Sequence, residues 1–276
     1  MSNTVQKGAG AMQKLKTDFD SRDDLTAYIR DQFDPTPDDT AVSSFEGTRT
    51  AANERLSDIK PKAYVRNRNF YDGDVTQLSP YIRHGLMTLR EVYEHATAEH
   101  PPKEIEKFIQ ELAWRDFWQR HYAEHPDHIW NNIEDYKTGY THDDYADELP
   151  EDIRLGKTPN TAINHFIRDL LDTGYMHNHT RMYVAAYVVH WRRIKWQAGA
   201  KWFLRHLIDG DPASNNLSWQ WVASTFANKP YIFNLENVTK YCGTSVNCTE
   251  ADNPELAYSY EDLTARLFPS KGDRND

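Results

Sequence analysis

Residues 174–226 read GYMHNHTRMYVAAYVVHWRRIKWQAGAKWFLRHLIDGDPASNNLSWQWVASTF and form the densest cluster of unusual side chains in the chain. Asn178, Arg181 and Met182 occupy positions i, i+3 and i+4, a spacing that places them on one face of a helix. A polar amide and an arginine on a shared helix face are difficult to explain by core packing alone. The stretch therefore predicts a functional site on this helix.

The second half of the same stretch joins a charged turn to an indole-rich helix. Asp209 and Asp211 flank a glycine, and Asp211 precedes a proline, a pair typical of an N-cap and the first residue of a helix. Asn215 and Trp219 are again four residues apart, and Trp219 and Trp221 place two indoles within three residues. The segment thus combines carboxylates, an amide and aromatic rings around one predicted helix start.

Helical spacing of apolar residues continues outside this stretch, while strand signals are weak throughout. We find no internal repeat and no low-complexity linker, so the sequence predicts one all-α domain over residues 1–276, with residues 1–22 polar and loose. Helices are predicted over 22–33, 48–59, 79–98, 102–117, 162–171, 178–193 and 197–207, after 212, and over 260–267. The stretches 62–77, 126–158 and most of the chain from 228 onward are predicted to be irregular.

Composition restricts the class of protein. No window approaches the ~18 uncharged apolar residues of a membrane helix, and the N-terminus lacks the apolar core of a secretory signal. The two cysteines, Cys242 and Cys248, are typical of a reducing compartment, and they cannot supply the four ligands of an iron–sulfur cluster. We therefore expect a cytoplasmic protein without a membrane segment.

The formal net charge is −10, whereas a general nucleic-acid binder carries a basic face. The overall charge argues against such a binder, but it leaves room for a local basic rim, because the field at a cleft depends on nearby charges.

Four ordered segments resemble the flavin-binding region of the DNA photolyase and cryptochrome family. They are VTQLSPYIRHG (75–85), ELAWRDFW (111–118), TGYMHNHTRM (173–182) and LIDGDPASNN with the following WQW (207–221). The resemblance covers about residues 50–240, without a gap over 156–221. It implies an all-α domain that binds FAD. The ~50 preceding residues are too few for the family's N-terminal α/β domain, so no antenna chromophore is expected.

The segment before the predicted helix at residue 79 is the expected phosphate site. The start of a helix exposes unpaired N–H groups that attract anions, although for this segment by itself an ordinary N-cap at Ser79 is the better explanation. The resemblance implies phosphate contacts from Val75, Thr76, Gln77, Leu78 and Ser79. An arginine is common in the family at position 77, so Gln77 predicts that part of the phosphate charge is unpaired here.

The resemblance also assigns residues around the flavin ring. Arg181 and Asp209 correspond to an ion pair beside the isoalloxazine, with a surface salt bridge as the alternative. Asp211 lies near the ribityl chain or is only a helix cap. Asn215 corresponds to the residue that faces flavin N5, where plant-type cryptochromes tend to carry an acid. Further flavin contacts are implied for Tyr64, Phe108, Glu111, Arg115 and Asn178, with Phe108 standing where a tryptophan is common.

Trp196 and Trp219 correspond to the inner two members of the family's electron-transfer chain of tryptophans. Without a flavin, the default interpretation is two core tryptophans. The third, outermost tryptophan is missing, because gap-free counting places Asp143 there. Tyr140 and Tyr145 are possible substitutes.

A further set corresponds to residues that bind a DNA lesion. Glu111, Trp114 and Trp221 match a substrate glutamate and two stacking tryptophans, while Asn178 and Met182 match enzymes for cyclobutane dimers, since (6-4) enzymes carry histidines at both places. His179 replaces a frequent arginine near the DNA. Arg66 and Arg68 resemble a segment at the DNA edge, although a solvated basic loop is an equally simple explanation.

The resemblance therefore predicts light-driven repair of cyclobutane pyrimidine dimers in DNA by electron transfer from reduced FAD, with Glu111, Trp196, Asn215 and Trp219 as catalytic residues. Single-stranded DNA is one possible substrate. The main alternative is a cryptochrome-like blue-light photoreceptor that acts through a protein partner. A third is a flavoprotein for electron transfer or structure without light.

The spacing of His121, His125 and His128 allows a metal site in principle. The proline at position 126 breaks the helical geometry and no carboxylate or cysteine pattern completes the set, so no metal is expected.

Overall fold

The computed structural model describes residues 14–32 and 43–268, and the chain separates into two compact units, residues 1–42 and 43–276. The first unit contains α1 (Arg22–Gln32), in which no residue is buried. Lys16 pairs with Asp24 of α1 at 2.7 Å. Residues 1–13 of the predicted loose N-terminus, and the predicted helix end at Phe33, lie outside the described residues.

The second unit is built from helices. Among its described residues no strand forms, and extended pairing is restricted to one isolated bridge between Ala146 and Ile194. The all-α prediction is therefore confirmed. The helices are α2 (Arg49–Ser57), α3 (Pro61–Asn67), α4 (Ser79–Arg83), α5 (Leu89–Glu99), α6 (Glu106–Glu124), α7 (Glu151–Arg154), α8 (Thr161–Thr173), α9 (Asn178–Ala186), α10 (Trp196–His206), α11 (Pro212–Ala223), α12 (Leu235–Cys242) and α13 (Tyr260–Leu267).

The single helix predicted over residues 79–98 is wrong, because two helices with a turn between them occupy that range. Gly85 adopts a φ of 73°, a left-handed conformation that ends a helix readily. Thr88 then opens α5 with a capping box, in which its side chain accepts from the Glu91 N–H and the Glu91 carboxylate accepts from the Thr88 N–H. Local capping thus outweighs the continuous apolar spacing.

Other boundaries differ as well, and the stretch 126–158, predicted to be irregular, includes the short α7. The stretch 62–77 was predicted irregular but includes most of α3, which Pro61 opens from the first turn. The predicted irregular tail includes α12, capped by the Asn234 side chain, which accepts from the Asn237 N–H. The helix predicted over 178–193 leaves α-geometry after Ala186 and continues as a π-helical turn, Tyr187–Trp191.

Buried side chains form two clusters in the second unit. The larger lies around α8 to α11 and includes Phe166, Tyr183, Trp196 and Phe203, all at most 1% exposed. The smaller lies around α2 to α6. In the part of the chain that the structure describes, no helix is both long enough and apolar enough to cross a bilayer.

Candidate functional site

Asp209 joins two helices of the second unit through one carboxylate oxygen. The Arg181 guanidinium of α9 donates to Asp209 Oδ2 at 2.8 Å, and the Ser79 hydroxyl of α4 donates to the same oxygen at 2.5 Å. Arg181 is held from its other side by the Met176 carbonyl at 2.8 Å. The structure therefore brings together three residues that span 130 positions of the chain, from Ser79 to Asp209.

This arrangement determines how Ser79 is used. Leu78 occupies the N-cap position of α4 and Ser79 is its first residue, so the predicted N-cap at Ser79 is wrong. The Ser79 hydroxyl instead serves the long-range hydrogen bond to Asp209.

Asp209 is 5% exposed and carries a charge. Burial alone raises the pKa of its carboxyl group, but attraction by Arg181 and the hydrogen bonds from Arg181 and Ser79 outweigh burial and hold the pKa below its ordinary value. The pair is therefore ionised at neutral pH. A buried charge of this kind is tolerated only with its partner in place.

Asp211 caps α11 and is itself held from α6. Its carboxylate accepts from the Ser214 N–H at 2.7 Å and from the Gln119 amide at 2.7 and 2.9 Å. Both predicted roles for this residue, helix cap and site carboxylate, remain compatible with this geometry. Gln119 has no counterpart in the sequence prediction, since a lone glutamine on a helix gives no signal.

Arg115 of α6 faces the same acidic groups. Burial, the largest effect, lowers the pKa of its guanidinium, while the charges of Asp211 and Asp209 oppose that shift. No carboxylate of the described residues lies within 4 Å of Arg115, so its charge is incompletely compensated. An anionic ligand would complete the charge balance.

Three buried polar atoms of residues 209–219 have no hydrogen-bond partner among the described residues. They are Asp209 Oδ1, Ser214 Oγ and Trp219 Nε1. Buried donors and acceptors in native proteins are nearly always satisfied, and exceptions point to a ligand or a functional role. Together with Arg115, these atoms fit a ligand that has both anionic and neutral polar groups, as FAD does.

The loop before α4 has an unusual backbone. Gln77 adopts a φ of 52°, which a residue with a side chain rarely does, and Leu78 follows with right-handed angles. Such an alternation turns successive N–H groups toward one concave surface that suits an anion. Thr76 stabilises the turn, since its hydroxyl accepts from the Leu78 N–H at 3.3 Å. Backbone geometry thus favours the predicted phosphate role for Val75 to Ser79.

A cavity of about 690 Å³ adjoins this loop, and Val75 and Gln77 belong to its lining. Tyr175 forms part of the wall. The Arg181 guanidinium, which pairs with Asp209, lies 5.5 Å from the centre of the Tyr175 ring. The cavity and the Arg181–Asp209 pair are therefore neighbours that share Tyr175, but the pair itself does not line the cavity.

Trp196 and Trp219 both lie in the core. Trp196 is fully buried and donates its indole N–H to Asn132 at 2.7 Å. Trp219 packs over Gly199 of α10, one helical turn from Trp196, and meets Phe203 edge-on at 4.9 Å. Asn215, one turn before Trp219, donates its amide to the Ala200 carbonyl at 3.1 Å, which leaves its amide oxygen available to a ligand.

Three tyrosines cluster near Asp143, the position at which the family's third tryptophan is missing. Asp143 itself is exposed, whereas Tyr145 is buried and stacks on Tyr136 at 4.3 Å. Tyr140 meets Tyr145 edge-on at 6.3 Å and lies under the Arg193 guanidinium at 4.6 Å. Tyr136 was not singled out from the sequence, because nothing local distinguishes it from other loop tyrosines.

Glu111 and Trp114 lie on one turn of α6 but have different surroundings. The Glu111 carboxylate lies 2.9 Å from the Lys107 ammonium and 3.6 Å from Arg68 Nε, so it is held between two cations. Trp114 is 48% exposed and stacks on Trp118 at 5.3 Å. The structure thus links Arg68 to the predicted substrate glutamate.

Trp221 is 41% exposed and lies 5.7 Å from the Tyr231 ring. It belongs to α11, which packs against α6, the helix that carries Trp114. Asn178 is exposed at the first residue of α9, and Met182 is half-buried on the same helix. These four residues remain candidates for lesion binding.

The remaining predicted residues lie at the edge of the site. The His179 Nδ1–H donates to the Asn69 carbonyl at 2.8 Å, and burial lowers the pKa of the ring despite that hydrogen bond. Arg66 is exposed, and Arg68 donates to the Val65 carbonyl at 3.1 Å. Tyr64 and Phe108 meet edge-on at 5.2 Å.

The three histidines at and after the C-terminal end of α6 contact one another directly. His121 Nε2 lies 3.0 Å from His128 Nδ1, and the His125 and His128 rings stack at 4.7 Å. Phe226 packs on His121 at 5.2 Å and on Trp118 at 5.8 Å, so an aromatic strip continues from Trp114 along α6.

Comparisons with a family model and with curated relatives indicate the same family. The model of the family described as the FAD binding domain of DNA photolyase matches residues 108–246, about half of the chain. A deoxyribodipyrimidine photo-lyase of Alkalihalophilus pseudofirmus is 36% identical over 178 residues, covering 63% of this chain and 36% of that protein. One of Synechococcus is 30% identical over 238 residues, covering 77% of this chain and 46% of that protein.

Among solved structures, a cryptochrome of Synechocystis matches with a TM-score of 0.66 and 24% identity, covering 82% of this chain and 52% of that one. At this identity the likeness shows the fold alone. The chain spans about a third to a half of the length of the curated relatives it matches. Because the family model covers half of the chain and the helical fold agrees, the chain belongs to the family of FAD-binding domains of DNA photolyases.

Proposed function

We propose that the chain repairs cyclobutane pyrimidine dimers in DNA by light-driven electron transfer from reduced FAD. The observation that carries the proposal is the pair of half-exposed indoles on two helices that pack together, Trp114 of α6 and Trp221 of α11. Most large aromatic side chains of this unit are buried or half-buried, so two exposed tryptophans on helices that pack together require a reason.

Base stacking supplies that reason. An enzyme that acts on a base must take it out of the stack, which costs a few kcal/mol. Stacking on an aromatic side chain returns about 1–3 kcal/mol per base. A dimer presents two bases at once, so two indoles offset much of the cost of flipping.

Polar groups near the indoles would orient the lesion. Glu111 is held by Lys107 and Arg68, so its carboxylate is fixed in position as an acceptor for a base N–H. The exposed Asn178 amide can donate to and accept from a pyrimidine edge. These contacts would bind and orient the lesion. In an enzyme whose cofactor carries the chemistry, binding and orientation are what the protein contributes.

FAD, when bound in its reduced form, supplies the absorbing group and the transferred electron. Arg181 and Asp209 would hold a charge pair beside it, and the Asn215 amide oxygen, which accepts no hydrogen bond from the described residues, would accept one from a ring N–H of the reduced flavin. Trp196 and Trp219 are buried, adjacent on α10 and α11, and suited to carry an electron inward. The two free cysteines favour a reducing, cytoplasmic location.

The test is light-dependent restoration of bases in oligonucleotides that contain cyclobutane dimers, single- and double-stranded, with matched dark reactions. Trp114→Ala and Trp221→Ala are each expected to weaken binding of the damaged oligonucleotide by about 1–3 kcal/mol, roughly 5- to 150-fold, while the FAD content stays at the wild-type level. Trp130→Ala is the matched control, because Trp130 is also exposed, at 36%, but belongs to neither α6 nor α11, and its ring lies under Lys201 of α10.

A photoreceptor without repair activity is the second candidate, and His179 favours it. Family members frequently carry an arginine near the DNA at this position. The His179 ring instead is hydrogen-bonded to the Asn69 carbonyl and packs against Tyr183 and Tyr241. Wild-type protein that binds FAD and responds to light, yet leaves both damaged substrates unchanged, would replace the repair proposal with this one.

A further inference from the structure

Arg55 of α2 is a cation without an ionic partner. No carboxylate of the described residues lies within 4 Å of its guanidinium, although Arg55 is half-buried. Its one side-chain hydrogen bond runs from Nη1 to the Gln77 amide oxygen at 2.7 Å. A partly desolvated charge that is paired only with a neutral amide is unfavourable unless an anion joins it.

The surroundings of Arg55 form a built concave site. Arg55 and Gln77 both line the cavity of about 690 Å³, and the guanidinium lies 5.5 Å from the centre of the Phe45 ring, which also lines it. Phe45 in turn packs on Tyr175 at 5.7 Å. Tyr175 is the wall that the cavity shares with the Arg181–Asp209 pair, so the cation faces the same region as the candidate flavin site.

Four carboxylates line the cavity as well, but they do not neutralise Arg55. Glu46, Glu54 and Asp58 are exposed to solvent, and Asp169 accepts a hydrogen bond from Tyr71 at 2.7 Å. The two features that favour an anion, the Arg55 guanidinium and the left-handed Gln77 backbone, are neighbours joined by a hydrogen bond.

We propose that Arg55 is the phosphate-binding cation of this chain and contacts the pyrophosphate of FAD together with the backbone N–H groups around Gln77. An arginine at position 77 would bring a positive charge to this loop. In this chain Arg55 of α2 supplies that charge, and its guanidinium donates a hydrogen bond to the Gln77 amide oxygen. This inference rests on the FAD site and not on DNA repair, so it can be tested in the dark without DNA.

The experiment measures the affinity of apoprotein for FAD and for riboflavin by quenching of flavin fluorescence. Riboflavin lacks phosphate, so Arg55→Gln is expected to weaken FAD binding by roughly 10- to 100-fold, the range for a lost charge-assisted hydrogen bond, and to leave riboflavin binding within about twofold. The variant's FAD affinity should also depend less on salt concentration, because one phosphate contact is lost.

Two further variants make the result specific. Arg55→Gln combined with Gln77→Arg returns the charge to the loop and is expected to recover most of the FAD affinity. Arg90→Gln, which removes an exposed arginine of α5, is the control and should leave both affinities unchanged. Unchanged FAD affinity in Arg55→Gln, equal losses for FAD and riboflavin, an unaltered salt dependence, or no recovery in the double variant would each overturn the proposal.

Discussion

At the scale of single residues, the Arg181–Asp209 pair has the clearest energetic consequence. The Asp209 side chain is 3% exposed and that of Arg181 is 23% exposed. Arg181→Ala would leave a buried carboxylate without its cation. We expect the free energy of unfolding to fall by about 3 kcal/mol, the lower end for a broken buried pair because Arg181 retains some contact with solvent. Urea denaturation of apoprotein at pH 7 measures this change.

Arg120→Ala provides the comparison, since Arg120 pairs with Asp116 on the surface of α6 at 2.7 Å with both side chains more than half exposed. This variant should unfold at nearly the wild-type urea concentration. Equal stability of the two variants would show that the Arg181 pair is not the buried contact described here.

The residue scale also shows what the sequence could and could not reveal. The motifs pointed to Arg181, Asp209 and Ser79, which the structure brings together at one carboxylate oxygen. Gln119 and Arg55 were missed, because each contacts the site from a helix distant in sequence and carries no local pattern. A side chain's role in such cases depends on the tertiary contact, which single-sequence reasoning does not contain.

At the scale of elements, the contact between α10 and α11 depends on a missing side chain. A Cβ at Gly199 would lie 2.2 Å from the Trp219 ring, closer than any real contact, so the indole occupies the space above the glycine. Gly199→Ala should therefore displace Trp219 and destabilise the protein by about 1–3 kcal/mol, as overpacking does. Thermal unfolding and the tryptophan signal in near-ultraviolet circular dichroism would detect both effects.

Gly47→Ala is the matched control, because an added Cβ at Gly47 meets nothing within 4 Å. It should keep the wild-type melting temperature and tryptophan signal. If both alanine variants behaved alike, the close packing of Trp219 on α10 would be refuted.

His190, in the π-helical turn after α9, should make the free energy of unfolding depend on pH. His190 is 2% exposed and contacts the Val222 carbonyl at 3.0 Å. Burial lowers its pKa to about 4, with the Val222 carbonyl opposing the shift, while an unfolded histidine has a pKa of about 6.5. The folded protein therefore binds fewer protons between these values, so stability should decrease as the pH falls from about 6.5 to 4, by up to about 3 kcal/mol from this residue.

His190→Gln keeps an amide donor for Val222 but cannot be protonated, so its stability should fall less steeply over that range in urea denaturation at pH 7, 5.5 and 4.5. The exposed His142→Gln serves as control and should follow the wild-type curve. A His190→Gln curve parallel to the wild type would mean that His190 does not cause the dependence.

Element prediction succeeded at several locally capped helix ends, but it missed the local caps of α5 and α12 as well as the π-turn. The starts of α2, α9 and α11 and both ends of α13 agree with the sequence within a residue or so, since Thr48, Asp211 and Ser259 cap locally. The π-turn and α12 were missed. Both depend on burial within the larger core cluster, to which periodicity over a short window is insensitive.

At the scale of the whole molecule, a net charge of −10 must be reconciled with the proposed DNA substrate. Each cation that neutralises a phosphate on single-stranded DNA adds about −0.7 to the slope of log affinity against log salt concentration. With Arg66 exposed and Arg68 partly engaged by Glu111, we expect a shallow slope from few phosphate contacts. Affinity should then come mainly from stacking on Trp114 and Trp221, which salt affects little.

Two variants separate these contributions in titrations of a dimer-containing single strand at several salt concentrations. Arg66→Gln should reduce the magnitude of the slope by about 0.7, because it removes one phosphate contact. Trp114→Ala should weaken binding by about 1–3 kcal/mol at every salt concentration and leave the slope unchanged, since an indole releases no counterions. A steep slope in the wild type, or a slope that changes with Trp114 and not with Arg66, would assign the binding to electrostatics elsewhere on the surface and remove the indole pair from its proposed role.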